Sequence, residues 1–293
     1  MARMKIKEIL GRGRPVVSFE FFPPKTPEGL DALLQTIATL KPLAPSFVSM
    51  TYGAGGSTRA KTVELVSKIK HEIGIEAAAH LTCVGHSESE LESILSELER
   101  RGIENVLALR GDPPKGEKQF TPAADGFRYA SELVALIRRR FNFCVGVAGY
   151  PEKHVEARTA EEDLAHLKEK VQNGGDFVVT QLFFDNADYF KFVSRVRSSG
   201  VTVPVIAGIM PVTDVEQIKR FTLMCGAKIP PALLEKLEGA STKERVMEIG
   251  IEHATRQCTA LLQGGAPGIH FYTLNKSQAT REIFLRLRAA GVL

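Results

Sequence analysis

The chain has 293 residues, 44% of them hydrophobic and 25% charged, which is the balance of a globular protein and excludes a disordered or fibrous one. Thirty-eight Lys and Arg against thirty-four Asp and Glu leave a formal charge of +4, too small and too scattered to call for nucleic acid or another polyanion. Four cysteines without CxxC spacing (Cys83, Cys144, Cys225, Cys258) suit reduced thiols in a cytoplasmic protein better than disulfides or a zinc site, and the first ten residues contain no apolar signal core.

In chain order, eight apolar runs stand out. They are PVVSFEFF at 15–22, FVSMTYG at 47–53, EAAAHLTC at 76–83, NVLALRG at 105–111, CVGVAGYP at 144–151, FVVTQLFF at 177–184, PVIAGIMP at 204–211 and GIHFYTL at 268–274. Several are apolar at successive positions, as strands covered on both faces are. Between them lie amphipathic segments with helix-start signals: Thr26-Pro27, Ser87 with Glu90, Thr159 with Glu162, Thr213 with Glu216 and Ser241 with Glu244. Most strand starts are about thirty residues apart, the size of one βα unit, so eight of them predict a (β/α)8 TIM barrel in one domain over 1–293. The last interval is too long for one unit, and segments 231–237 and 241–262 predict extra helices between strands seven and eight. An open doubly wound sheet is the competing fold, and the absence of GxGxxG after the first strand counts against it. The longest uncharged stretches, 200–213 and 258–275, are broken by Gly and Pro before they reach a membrane span, so no membrane partner is expected.

A barrel carries its chemistry at the C-terminal ends of its strands. Glu20 lies among Phe19, Phe21 and Phe22; a carboxylate so placed is costly to desolvate when ionised and would suit a general acid, although it could instead face water or pair with a basic residue. Strand two runs into the Gly-rich segment Thr51-Tyr52-Gly53-Ala54-Gly55-Gly56. Strand three supplies His80 and Thr82, strand four Arg110-Gly111-Asp112, strand five Tyr150 and His154, and strand six Gln181. None of the eight runs holds a Lys for a Schiff base, no paired histidines provide a metal site on strand one, and GxSxG is absent. What remains suits a site in which a bound cofactor does the difficult chemistry.

The ordered set SFEFFPP, TYGAGGS, AHLTC, ALRGDPP, GYPEKH, TQLFFD, AGIMPV and HFYTLN, spanning about residues 15 to 288, resembles the bacterial-type methylenetetrahydrofolate reductases. The resemblance implies a (β/α)8 fold, FAD as cofactor, NADH or NADPH as reductant and 5,10-methylenetetrahydrofolate as substrate, reduced to 5-methyltetrahydrofolate for methionine synthesis. It implies two half-reactions at one flavin face, with Glu20 as general acid toward the folate. Asp112, Gln181, Gln217, Phe221 and Lys276 match substrate-side positions. The flavin site would draw on Thr51, Tyr52, Ala54, His80, Arg110, Gly111, Asp112, Tyr129, Ala130, Tyr150, His154, Asp163 and Lys170. A homo-oligomer is expected by analogy, and no inhibition by S-adenosylmethionine, because no regulatory domain follows. Leu182 and Gly149 depart from the usual Phe and Ala of the family. A folate-dependent methyltransferase and a non-catalytic flavin- or folate-binding protein are the alternatives; a flavin spectrum separates the first, a turnover assay the second.

Overall fold

The computed structural model describes residues 4–52, 59–113 and 120–293. Each of the eight apolar runs contains a strand: β1 (Val16–Phe21), β2 (Phe47–Met50), β3 (Ala77–Thr82), β4 (Asn105–Leu109), β5 (Cys144–Gly149), β6 (Phe177–Thr180), β7 (Val205–Ile209) and β8 (Gly268–Tyr272). All neighbours pair in parallel and β8 returns to β1, so the sheet closes on itself in sequence order and leaves no edge strand. Alternation along each strand then sorts the side chains. On β1, Val17, Phe19 and Phe21 join the large core between sheet and helices, while Val16 belongs to a separate cluster with Phe47, Ala78, Leu107, Cys144 and Phe177 inside the barrel.

The helices alternate with the strands: α1 (Ile6–Leu10), α2 (Pro27–Leu40), α3 (Arg59–Lys68), α4 (Glu88–Arg100), α5 (Ala130–Arg140), α6 (Ala160–Gln172), α7 (Asn186–Ser198), α8 (Val215–Cys225), α9 (Pro231–Glu238), α10 (Lys243–Gln263) and α11 (Gln278–Ala289). The two extra helices expected before the last strand are α9 and α10. No helix among the described residues is long and apolar enough to cross a membrane. Thr26, Ser87 and Thr159 cap their helices as the sequence suggests, each accepting from the backbone N–H three residues on. Two expected caps are displaced by one residue: Asp214, not Thr213, accepts from Gln217 N, and Thr242, not Ser241, accepts from Arg245 N.

Helix α1 was not expected. At five residues it has no stability of its own, and it forms by packing Ile6 and Ile9 against the barrel's lower cluster. Its position is fixed by Asn105, whose Oδ1 accepts from Ile6 N at 2.8 Å and whose Nδ2 donates to Glu76 Oε1 at 3.0 Å. Glu76 in turn accepts from the buried Lys70 Nζ at 2.8 Å, which gives the buried ammonium a carboxylate partner. This closed lower end leaves the strands' C-terminal ends as the open mouth.

Candidate active site

Above the lower apolar cluster, toward the mouth, the inward positions of β1, β2, β3 and β8 are polar: Ser18, Glu20, Ser49, His80, Thr82 and His270. Glu20 is 6% exposed, and its Oε2 lies 3.3 Å from His270 Nε2 and 3.5 Å from His80 Nε2. His270 is fixed at its other nitrogen by Ser18 Oγ at 2.7 Å, stacks on Phe47 with ring centroids 6.1 Å apart, and has Ser49 Oγ at 3.5 Å. Thr273 Oγ1 donates to the Glu20 backbone carbonyl at 2.6 Å, tying β8 to the acid's own strand. The expected aromatic surroundings are therefore corrected. Phe19 and Phe21 sit on the opposite face of β1 and Phe22 is 38% exposed, so the carboxylate is held between two histidines. Burial pushes the His80 imidazole down to about 4, against the pull of Glu20, so it is neutral near pH 7.

A second wall rises from β4 and β5. Arg110 makes a paired contact with Glu156, Nη1–Oε2 2.5 Å and Nη2–Oε1 2.7 Å, and its guanidinium lies 5.0 Å from the Phe120 ring centroid. Tyr150 meets His154 edge-on at 4.7 Å, and Lys170 Nζ lies 5.9 Å from the Tyr150 ring while donating to Ala148 O at 2.6 Å. Asp163 Oδ2 accepts from His154 N at 3.3 Å. Burial lowers Lys170 to about 8 against the attraction of Asp163, raises Asp163, lowers His154 and raises Tyr150. Exposed Asp112 is close enough to favour the charged form of Arg110 and disfavour ionisation of Tyr150. Gly111 adopts φ +88°, and a Cβ there would stand 2.5 Å from Val84 Cγ1, so the turn after β4 requires glycine twice over.

The structure thus gathers Arg110, Tyr150, His154, Asp163 and Lys170 into one wall, and places Glu20 and His80 together in the mouth. The other expected positions are more dispersed. Thr51 accepts Thr62 Oγ1 at its carbonyl (3.1 Å), and Tyr52 Oη contacts His86 Nε2 at 3.0 Å. Tyr129, 46% exposed, stacks on His166 at the N-terminus of α5, with Ala130 next to it. Ala54 lies outside the described residues. On the remaining side, Gln181 Oε1 accepts from Leu182 N at 2.8 Å. Phe221 of α8 packs against the apolar cluster that holds Leu182 and Met210, Gln217 is half-buried on α8, and Lys276 is exposed after β8.

Gly149 gives up its usual methyl to Phe192, whose Cζ would be 2.8 Å from an added Cβ. Sequence reasoning missed His270, Ser18, Ser49 and Tyr272. The signal was present in GIHFYTL, where His270 and Tyr272 are two apart and so share a face, opposite Ile269 and Phe271. Tyr272 Oη donates to Thr180 O at 2.6 Å across the mouth. A cavity of about 780 Å³ between α9 and α10 is lined by none of these residues.

The sequence profile described as methylenetetrahydrofolate reductase matches residues 5–288. A probable methylenetetrahydrofolate reductase (NADH) of Oryza sativa is 39% identical over 97% of this chain, and the chain spans about half the length of that protein (50%). The 5,10-methylenetetrahydrofolate reductase of Escherichia coli is 38% identical, with 93% of this chain and 90% of the bacterial one aligned. Among solved structures, an uncharacterized Clostridium thermocellum protein described as binding two copies of 5-methyl-5,6,7,8-tetrahydrofolic acid superposes with TM-score 0.66 at 15% identity, covering 98% and 99% of the two chains. Oxaloacetate acetylhydrolase superposes at TM-score 0.54 with 14% identity, covering 98% of this chain and 86% of its own. At these identities the structural likenesses speak for the fold alone. Between the profile match over nearly its whole length and the relatives at 38–39% identity, the chain belongs to the methylenetetrahydrofolate reductase family.

Proposed function

We propose that the chain reduces 5,10-methylenetetrahydrofolate to 5-methyltetrahydrofolate with NADH or NADPH through bound FAD, in two alternating half-reactions at a shared face, and so supplies methyl groups for methionine synthesis. The observation that carries the reading is the Glu20 carboxylate, nearly buried in the barrel mouth with one oxygen against His270 and His80. The names of the plant relatives carry NADH, which favours that donor.

The residues present fit a flavin. His80 Nε2 and Thr82 Oγ1, at the end of β3, are buried polar atoms without a hydrogen-bond partner among the described residues, an arrangement that calls for a polar ligand. Beside them stand the cationic and aromatic groups of Arg110, Lys170, Tyr150 and His154. Arg110 already gives one N–H of each terminal nitrogen to Glu156, which leaves the other on each for a ligand oxygen. When bound, FAD accepts hydride from the nicotinamide and gives it to the folate.

The chain's own residues do the rest. Glu20 holds a proton and delivers it to folate N10, opening the five-membered ring so that its bridging carbon can accept hydride. Gln181, with an acceptor and a donor on one amide, pairs with the pterin edge. Phe221 and Leu182 present an apolar flank beside it, with Gln217 and Lys276 at the outer rim. Exposed Asp112, which acts on Arg110 and Tyr150, would set a negative charge beside a flavin held by that wall and so make it a stronger hydride donor. The working enzyme is proposed to be a cytoplasmic homo-oligomer, which light scattering tests. For the reaction itself, the purified protein should be yellow with a flavin spectrum, should oxidise about one NADH per flavin on its own under anaerobic conditions, and should turn NADH over continuously only when methylenetetrahydrofolate is supplied. A colourless protein that binds folate without oxidising a nicotinamide would point to a methyltransferase or a binding protein instead.

A further inference from the structure

Two hydrogen-bond acceptors of one carboxylate stand in different surroundings. Glu20 Oε2 faces both histidines, at 3.3 and 3.5 Å, whereas Oε1 makes no hydrogen bond among the described residues. His270 is 1% exposed and cannot reorient freely: it is clamped at Nδ1 by Ser18 Oγ (2.7 Å), stacked on Phe47, and carried on β8, whose register sets Ser18 beside His270 and Glu20 beside Tyr272.

We propose that His270 is a positioning residue for Glu20: the Ser18 hydroxyl donates to Nδ1, which fixes the proton of the ring on Nε2, and Nε2–H donates to Glu20 Oε2. Engaging Oε2 as an acceptor leaves the acid proton to Oε1, the oxygen that makes no hydrogen bond among the described residues. The arrangement holds the carboxyl's orientation through both protonation states, because Oε2 accepts whether the group is a carboxylate or an acid. The neighbouring groups allow it. On β3, His80 is held neutral by burial and its Nε2 makes no hydrogen bond to Glu20 despite the 3.5 Å separation. On β8, burial keeps the Tyr272 phenol protonated and its Oη is turned to Thr180 O. On β2, Ser49 brings a hydroxyl and no charge. Among the described residues, these are the groups that face Glu20 from the adjoining strands.

The proposal rests on the reading of Glu20 as the acid toward folate, and its test separates the two. In ¹⁵N-histidine-labelled protein, NMR should show His270 as the Nε2–H tautomer, and Ser18→Ala should turn it into a mixture; a dominant Nδ1–H form in the unaltered protein would overturn the proposal without any assay of activity. In stopped-flow experiments, His270→Leu removes a donor to a charged acceptor, which disfavours the carboxylate form. The pH midpoint of the folate half-reaction should therefore rise by about one unit, and its plateau rate should fall about tenfold. His270→Gln keeps an N–H at a similar reach and should bring the midpoint back to within a few tenths of a unit. The pH dependence of flavin reduction by the nicotinamide should not move. Equal profiles for the Leu and Gln variants, or equal losses in both half-reactions, would make His270 a structural residue. If the unaltered protein never transfers hydride to methylenetetrahydrofolate, the functional reading fails, and the tautomer measurement still decides the geometry.

Discussion

Glu20→Gln replaces one oxygen of the proposed acid by an amide nitrogen and changes little else. The side chain is 6% exposed, and the interactions at stake are the 3.3 Å contact with His270 and the 3.5 Å approach of His80. The amide oxygen can still accept from His270 Nε2, and the Thr273 bond is to the backbone carbonyl of residue 20, which the substitution keeps. The stability change should therefore stay near the value of one weakened hydrogen bond, about 1 kcal/mol. The rate change should be larger. A missing general acid costs on the order of 10²-fold or more, equivalent to roughly 2.7 kcal/mol of barrier, and the loss should fall on the folate half-reaction alone because taking hydride from the nicotinamide requires no proton from residue 20. Anaerobic stopped-flow spectrophotometry at the flavin band measures the two halves separately, and thermal melts check the fold. Equal impairment of both halves, or a collapse in melting temperature, would mean that Glu20 supports the barrel interior and not the chemistry.

Asp112→Asn takes a negative charge from the rim beside Arg110 and Tyr150 and should raise the flavin midpoint potential; potentiometry that shows no rise would remove its electrostatic role. Gln181→Glu replaces a two-way amide by an acceptor and should weaken binding of a folate analogue by about ten- to a hundredfold, with nicotinamide-driven reduction suffering less; unchanged affinity in a titration would make Gln181 structural. His80 titrates at about 4 in the fold against an ordinary 6.5, so between these values the unfolded chain binds the extra proton. Its contribution to stability is full above pH 6.5 and is lost as pH falls toward 4, by up to about 3 kcal/mol, and urea midpoints for the protein and His80→Gln should converge over that window. Parallel curves would show that His80 is not the group responsible.

The fold was legible because parallel strands buried on both faces write themselves as apolar runs, and the overlong interval before β8 announced α9 and α10. The misplaced caps show where spacing stops being decisive. Thr213 and Asp214 are both capping residues, as are Ser241 and Thr242, and in each pair it is the second, directly before the first helical residue and with an extended backbone (φ −157° and −137°), that caps. Helix α1 was invisible because only its docking under the barrel stabilises it.

The site was half legible. Polar residues at strand ends pointed to the mouth, and the wall from Arg110 to Lys170 came through motif resemblance. The setting of Glu20 did not, since its neighbours in sequence lie across the sheet from it, while its partners in space come from β3 and β8, the latter 250 residues away. Contacts of that span are set by closure of the barrel and leave no local mark.

The most direct measurement is an anaerobic titration of the purified protein. NADH, then NADPH in a separate sample, is added while the flavin band is followed, and methylenetetrahydrofolate is added once the band has bleached. Bleaching by a nicotinamide followed by full return of colour, with one 5-methyltetrahydrofolate formed per flavin, is the predicted result. A band that bleaches but does not return with the folate, or a protein with no flavin band at all, would contradict the account.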